Sequence, residues 1–299
     1  MKHAARVQLG LKRSLVSWLA RRNARNGVFG VELRSSVGLG AKLEWALEIM
    51  AYCDEHGLQP RFRFSSPDGR EPVDYFGRLF RIKGAPNAGA KFVTISSIIE
   101  LDLGRDYDQL MTLELATYLI DKYLAVSEDV MEEVDEFCNR HFHGRSVLGV
   151  HYRGTDKVRE APPVSYDKVL RNIAHYLELY PGTDGIFIAT DDENFLDHLQ
   201  HARPARTIVF RQDSVRSRDG RSIHGSPEAD TYAINRDAIV NCLLLSRCDA
   251  LLKTASILSG WSKLFNPRLP VVMLNRPPGE HLWFPERALV GNALFQPVD

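Results

Sequence analysis

The second half of the chain alternates short apolar runs with amphipathic stretches. From residue 146, the apolar runs predict strands at 147–152, 186–189, 207–210, 250–253 and 271–274. Between these runs, apolar residues at helical spacing predict helices near 165–180, 192–201, 231–246 and 256–265. Regular alternation of strands and helices is typical of a parallel, doubly wound sheet, which binds ligands at the carboxyl ends of its strands.

The first half shows the same alternation once and is then harder to interpret. The elements predicted there are a strand at 28–33, a helix through 43–50, a strand at 59–64, and helices at about 107–125 and 127–142. The stretch 67–90 is rich in glycine and proline and gives no clear pattern. We therefore predict an α/β protein with two Rossmann-like domains, 27–145 and 146–299, preceded by a separate segment, 1–26.

This N-terminal segment is strongly basic. It carries seven lysines and arginines and no acidic residue, and its apolar residues recur at helical spacing: Val7, Leu11, Leu15, Trp18 and Leu19. A helix with this pattern can lie on an anionic membrane surface. Alternatively, the same apolar stripe packs against the rest of the protein.

Composition and charge narrow the classes of function. The 299 residues are 44% hydrophobic and 25% charged, as in an ordinary globular protein. The 38 basic and 38 acidic residues cancel, which argues against nucleic acid as a partner. The four cysteines have no metal-ligand spacing, and we find neither a signal peptide nor a membrane-spanning stretch. We expect a cytoplasmic protein, peripheral on the inner membrane face if the basic segment binds lipid.

Charged side chains are concentrated in the loop after the strand at 147–152. Residues 151–160 contain a histidine, two arginines, a lysine, an aspartate and a glutamate. The planar guanidinium of Arg153 fits phosphate oxygens, and Lys157 adds a point charge. Such a loop suits a diphosphate leaving group, on which negative charge grows during reaction. A solvated loop with local ion pairs is the alternative interpretation.

The same loop carries a recognisable motif. Residues 149–157, Gly-Val-His-Tyr-Arg-Gly-Thr-Asp-Lys, resemble the H-x-R-x-T-D-K motif of the α1,6-fucosyltransferase family, which is related to the nodulation fucosyltransferases. Other family segments are matched by 188–192, by 238–256 and, near the N-terminus, by the glycine loop 38–40. The resemblance covers residues 146–275 well and the N-terminal half only at the glycine loop.

The resemblance implies a GT-B-like fold of two facing Rossmann-like domains with parallel sheets. It also implies an inverting glycosyltransferase that transfers fucose from GDP-fucose and needs neither metal nor cofactor. The C-terminal domain would bind the nucleotide sugar, and the N-terminal domain would bind a glycan or lipid-linked glycan acceptor. By position in the motifs, the candidate catalytic residues are Arg153, Asp156 and Glu160. The candidate donor-binding residues are His151, Arg153, Lys157, Asp191, Asp192, Asn241, Thr254, Ser256, Gly38 and Gly40.

The sequence leaves several roles open. Either Asp156 or Glu160 can serve as the base. Asp191 and Asp192 are expected near the guanosine, although they can also bind a metal ion or begin a helix. The turn 254–256 can bind phosphate through its backbone N–H groups or act as an ordinary helix cap. The arginine-rich stretch 203–221 is interpreted either as a loop over the ligand or as a solvated loop.

Departures from the family pattern keep other functions in view. Asn241 stands where the family has a helical aspartate, and Glu160 is one residue closer to the lysine than the family's glutamate. The glycine loop has Ala41 where related enzymes often carry asparagine. The alternatives are therefore the same fold with another nucleotide sugar, or a nucleotide-sugar-binding protein without turnover.

Overall fold

A computed structural model describes residues 2–67, 74–84, 89–154, 160–204, 206–220, 230–290 and 294–298, with side chains from residue 13 onward. It divides into two compact units, residues 1–127 and 128–299. The division lies at 127/128, whereas the sequence analysis placed it at 145. The helix at 128–141 belongs to the second unit because it packs on the helix at 231–246, where Arg236 pairs with Glu133.

The first unit is built around a small parallel sheet. Its helices are α1 (Lys2–Asn23), α2 (Leu39–Glu55), α3 (Phe76–Leu79), α4 (Tyr107–Leu110) and α5 (Leu113–Tyr123). Its strands are β1 (Val28–Arg34), β2 (Gln59–Ser65), β3 (Phe80–Ile82), β4 (Phe92–Ile95) and β5 (Leu124–Val126). Strands β2, β1 and β4 pair in parallel in that order, and β3 pairs antiparallel with β5. The predicted β-α-β unit is thus confirmed, whereas β4 was not predicted.

The helix predicted at 107–125 is wrong, because the structure has two helices there. The backbone of Thr112 is extended, and its side-chain oxygen accepts a hydrogen bond from the backbone N–H of Leu115 at 3.2 Å. This is an N-cap, which starts a new helix and separates α4 from α5.

The second unit contains the regular alternation that the sequence predicts. Its helices are α6 (Glu128–His141), α7 (Tyr166–Leu179), α8 (Glu193–Ala202), α9 (Thr231–Ser246), α10 (Ile257–Phe265) and α11 (Glu286–Leu289). Its strands are β6 (Val147–Tyr152), β7 (Gly185–Thr190), β8 (Thr207–Phe210), β9 (Ala250–Lys253) and β10 (Val271–Met273). The predicted strands and helices of this half are confirmed to within one or two residues at each end.

The strand order of the second sheet determines where a ligand can bind. The order is β10-β9-β6-β7-β8, with all neighbours parallel. The chain proceeds from β6 through β7 to β8 on one side and then returns to β9 on the other. Connections that leave in opposite directions open a crevice at the carboxyl ends of the strands, here between β6 and β9. Strands β7 and β9 are buried along their whole length, so this edge is rigidly supported.

Helix α1 packs on the first unit through small residues. Ser17 and Ala20 of α1 are buried, as is Ala24 in the 3₁₀ turn that follows the helix, and α1 contacts β1 and β4. By contrast, Leu15 is 57% exposed and Trp18 is 54% exposed. The interpretation that the apolar stripe packs on the protein is therefore wrong for these two residues.

Candidate functional site

A pocket lies at the carboxyl edge of the second sheet, entirely within the second unit. It holds about 680 Å³ of open space, mouth included. Its polar lining comes from the ends of β6 and β7, from α9 and from the start of α10: His151, Arg153, Thr190, Asp191, Asp237, Asn241, Ser256 and Ser259. The sheet edge therefore brings together five of the predicted donor-binding residues.

Arg153 is held at the pocket by its own backbone and by the neighbouring loops. Its backbone N–H donates to Thr254 Oγ1 at 2.8 Å, and its Nε lies 3.9 Å from Asp191 Oδ2. The next N–H, of Gly154, donates to Asp191 Oδ1 at 3.2 Å. Thr254 is buried and is not part of the pocket lining, so it positions Arg153 instead of facing a ligand.

Gly154 leaves no room for a side chain. A Cβ atom there would lie 2.5 Å from Asp192 Oδ2 and 2.7 Å from Tyr152 Cε1.

We expect Gly154→Ala to lower the free energy of unfolding by about 1–3 kcal/mol, because the added methyl overpacks the loop. Urea unfolding measures this. Gly182→Ala is the matched control, since nothing lies within 4 Å of its Cβ position; an equal effect of both substitutions contradicts the packing argument.

His151 is held in its neutral form. It is paired in register with Lys253 on the adjacent strand, and its Nδ1 is buried with no hydrogen-bond partner among the described residues. Burial, followed by the positive charges of Lys253 and Arg153, holds the pKa of His151 well below its usual 6.5. A neutral imidazole at the pocket can donate or accept one hydrogen bond without adding charge.

The depressed pKa of His151 predicts a loss of stability in acid. Below pH 6.5 the unfolded chain binds a proton at this histidine that the folded chain does not, so the free energy of unfolding falls as pH falls. The slope from this group is about 1.4 kcal/mol per pH unit. Urea unfolding of the native protein and of His151→Asn at pH 7, 6 and 5 measures it. We expect a shallower pH dependence in the variant; identical slopes would show that His151 titrates normally.

The turn 254–256 uses its backbone N–H groups within the protein. The N–H of Thr254 donates to the His151 carbonyl at 3.0 Å, and that of Ala255 donates to Asn275 Oδ1 at 2.7 Å. The N–H of Ser256 donates to the carboxylate of Glu286. The interpretation in which these three groups bind phosphate is therefore corrected: the Ser256 side chain and the first turn of α10 line the pocket instead.

A buried ion pair lies beneath this turn. Lys253 Nζ donates to Glu286 Oε1 at 2.6 Å, and both side chains are almost completely buried, at 0% and 4% exposure. The same carboxylate oxygen accepts the Ser256 N–H. Glu286 therefore links the end of β9 to the start of α10. The sequence analysis missed it because it lies 30 residues after Ser256 and has no local signal.

Asp192 has a structural role and is not part of the pocket lining. Its Oδ1 accepts the backbone N–H of Asn194 at 3.0 Å, which caps α8, and its Oδ2 accepts the Tyr166 hydroxyl at 2.7 Å. The predicted contact of Asp192 with the guanosine is therefore not supported by its position. Asp191, one residue earlier, does line the pocket.

The sequence analysis also missed Asp237, which lies one helical turn before Asn241 on α9. Asp237 Oδ1 accepts the Ser214 hydroxyl at 2.8 Å and an Nη1–H of Arg211. Asn241 Nδ2 donates to the same Ser214 hydroxyl at 3.2 Å. Among the described residues, Asp237 Oδ2 and Asn241 Oδ1 have no hydrogen-bond partner. Burial raises the pKa of Asp237, although Arg211 opposes this effect.

The described part of the arginine-rich stretch is not fully solvated, and Val215 within it is part of the pocket lining. The Arg211 side chain is buried and pairs with three carboxylates, those of Glu133, Asp213 and Asp237. Arg216 is also buried, and its guanidinium lies over the ring of Phe210. This cluster holds Asp237 in place at the pocket.

The remaining predicted residues lie elsewhere. Asp156 and Lys157 are outside the described residues, and Glu160 is half-buried but is not part of the pocket lining. Gly38 and Gly40 are in the first unit, at the start of α2. Within the described ranges, no group of three or more His, Cys, Asp or Glu side chains is arranged to hold a metal ion. Metal independence stays a prediction.

The two units of the chain have the α/β, GT-B-like fold with parallel sheets found in fucosyltransferases, as predicted. The chain is similar to NodZ α-1,6-fucosyltransferase soaked with GDP-fucose, with 17% identity, a TM-score of 0.53, and coverage of 82% of this chain and 94% of that chain. NodZ α-1,6-fucosyltransferase co-crystallised with GDP has 15% identity and a TM-score of 0.51, with coverage of 82% of this chain and 93% of that chain. Fucosyltransferase NodZ from Bradyrhizobium has 14% identity and a TM-score of 0.52, with coverage of 82% of this chain and 94% of that chain. No protein-family model and no curated protein sequence matches the chain.

Proposed function

We propose that the protein is an inverting, metal-independent glycosyltransferase that transfers fucose from GDP-fucose to a glycan or lipid-linked glycan. The observation that carries this proposal is the pocket of the second unit, which has an arginine at the sheet edge and, on α9, one oxygen each of Asp237 and Asn241 without a hydrogen-bond partner among the described residues. The chain has the fold of NodZ structures that were soaked with GDP-fucose or co-crystallised with GDP. A ligand with an anionic diphosphate and a donor-rich base matches both parts of this pocket.

The diphosphate would bind at the sheet edge. Arg153 offers a planar set of N–H donors, and its backbone is fixed by Thr254. The Ser256 hydroxyl and the first turn of α10 lie at the same edge. The N–H groups of a first helical turn have no partner within the helix and favour anions. These groups would stabilise GDP as it departs.

The base would lie along α9. Guanine presents two adjacent N–H donors on one edge, and a carboxylate with a free oxygen is a suitable acceptor for such a pair. Asp237 Oδ2 and Asn241 Oδ1 provide two acceptors one helical turn apart. Because Asp237 is largely desolvated, a donor-rich partner there is favoured over a ligand that only accepts hydrogen bonds.

The reaction would be a single displacement at the anomeric carbon. The bond between this carbon and the β-phosphate oxygen breaks, and its electron pair leaves with GDP. The acceptor hydroxyl forms the new bond from the opposite face of the sugar. Its proton passes to Glu160 or Asp156, a step that contributes typically 10²–10⁴-fold in rate.

Thermal shift with a nucleotide panel, together with GDP release from GDP-fucose, tests the proposal. At about 100 times its Kd, a ligand stabilises the folded state by about 2.7 kcal/mol. We expect stabilisation by GDP and GDP-fucose but not by UDP or ADP, and GDP release unchanged by EDTA. Loss of release in EDTA would overturn metal independence. Stabilisation by another nucleotide sugar alone would change the donor, and binding without turnover across a broad acceptor library would indicate a binding protein.

A further inference from the structure

Helix α1 presents an apolar surface away from the unit on which it packs. We call this surface, defined by Leu15, Trp18 and Arg22, the outer face of α1. Leu15 and Trp18 are at 57% and 54% exposure, among the most exposed large apolar side chains described. The guanidinium of Arg22 lies 5.1 Å from the centre of the Trp18 ring, so a cation adjoins the apolar surface. Exposed apolar side chains that cluster on one helix face, unlike scattered ones, indicate an interaction surface.

The helix is fixed in this orientation. Its opposite face buries Ser17 and Ala20, whose small side chains let the helix approach the sheet closely. Arg21 Nη2 donates to the backbone carbonyl of Asp102 at 2.9 Å, and Arg13 lies 3.9 Å from the Asp102 carboxylate. The outer face is therefore exposed because the other side of the helix is occupied.

The charge of the segment identifies the partner. Residues 1–26 carry seven basic and no acidic residues, whereas residues 27–299 carry 31 basic and 38 acidic residues, a net charge of −7. Of these two parts of the chain, only the segment that exposes tryptophan and leucine therefore has a net positive charge. An amphipathic helix with tryptophan and leucine on one face and arginine beside them matches the interface of an anionic bilayer.

We propose that the outer face of α1 docks the protein on a bilayer that contains anionic lipids. Leu15 and Trp18 would enter the headgroup region, and Arg22 and Arg25 would contact lipid phosphates. Among the described residues, no helix is long and apolar enough to cross a bilayer, and docking by the outer face requires none. This inference does not depend on the proposed donor, although a membrane position suits a lipid-linked acceptor.

A second copy of the chain is a poorer partner for this face. Symmetric pairing of two outer faces would bring Arg22 of each copy into one interface, and the outer face contains no carboxylate to balance them. Like charges at close range are unfavourable. An anionic bilayer supplies an apolar layer for Leu15 and Trp18 and negative charge for the basic residues beside them.

Co-sedimentation of the full chain with vesicles tests the inference. The vesicles are pure phosphatidylcholine, or phosphatidylcholine with about 30% phosphatidylglycerol, a fraction that makes the surface potential negative without changing the apolar core. We expect binding only to the anionic vesicles, at least about tenfold weaker at 0.5 M than at 0.05 M salt because the charges are screened. The double variant Leu15→Ala/Trp18→Ala should bind at least about tenfold more weakly.

Matched variants separate docking from general damage. Leu179→Ala removes a similarly exposed leucine from the second unit and should bind the anionic vesicles normally. GDP affinity, measured by calorimetry in the same variants, should be unchanged, so failure of the lipid test is distinct from failure of the donor proposal. Equal binding to both vesicle types, normal vesicle binding by the double variant, or a dimer in sedimentation equilibrium that the double variant abolishes would each overturn the inference.

Discussion

Arg153→Ala is expected to lower GDP release from GDP-fucose by about 10²–10³-fold at saturating donor. Removing one preorganised group that stabilises developing negative charge typically costs about 2.7–4 kcal/mol in the transition state. Arg153 is well placed for such a role, since its side chain lines the pocket and is only 17% exposed. The backbone hydrogen bond to Thr254 does not involve the side chain, so the loop should keep its position.

Two further variants make this result specific. Arg153→Lys keeps the charge but loses the planar set of donors, so we expect an intermediate rate. Arg268→Ala removes an exposed arginine from the loop after α10 and should leave the rate unchanged. Steady-state GDP release, with thermal unfolding as a folding control, measures all three. Full activity in Arg153→Ala would exclude the assigned role of this residue.

Lys253→Met is expected to lower the free energy of unfolding by about 3–5 kcal/mol. The substitution leaves the carboxylate of Glu286 buried without its counter-ion, and breaking one side of a buried pair costs about that much. The turn at Ser256 should also loosen, because Glu286 accepts the Ser256 N–H as well as the Lys253 ammonium. Chemical denaturation measures the loss.

A double-mutant cycle separates the pair from the packing around it. Glu286→Gln keeps an acceptor for the Ser256 N–H and removes the charge, so Lys253→Met/Glu286→Gln should recover most of the stability lost in Lys253→Met. If the two single effects simply add, the two side chains do not act as a pair.

The sequence predicts the second sheet well because its pattern is local. Strands β7 and β9 are continuous apolar runs, as expected of strands buried on both faces, and α7 and α8 have one apolar side. In the first unit, β4 has only four residues and follows a glycine- and proline-rich stretch, so its pattern is weak. The cap at Thr112 was missed because one threonine within an apolar run is an ambiguous signal.

Some residues of the candidate site can likewise be predicted from local sequence patterns, whereas others cannot. The sequence predicts that His151, Arg153 and Asp191 lie together, because the carboxyl ends of parallel strands share one edge. Asp237 lies within a helix, and Glu286 reaches the turn at Ser256 from the far end of the chain. Their positions depend on how α9 and α11 pack against the sheet edge, which no local pattern encodes. The interpretation that Asp192 begins a helix is confirmed, but the sequence did not show that its carboxylate also accepts the Tyr166 hydroxyl.

A crystal structure of the protein with GDP-fucose or GDP bound is the most direct test of the claim that the pocket of the second unit is a donor site. The account predicts phosphate oxygens within about 3 Å of the Arg153 guanidinium, the distance of a charge-assisted hydrogen bond. It also predicts the N–H edge of guanine at Asp237 Oδ2. A nucleotide bound elsewhere in the chain, with this pocket empty at saturating concentration, would contradict the account.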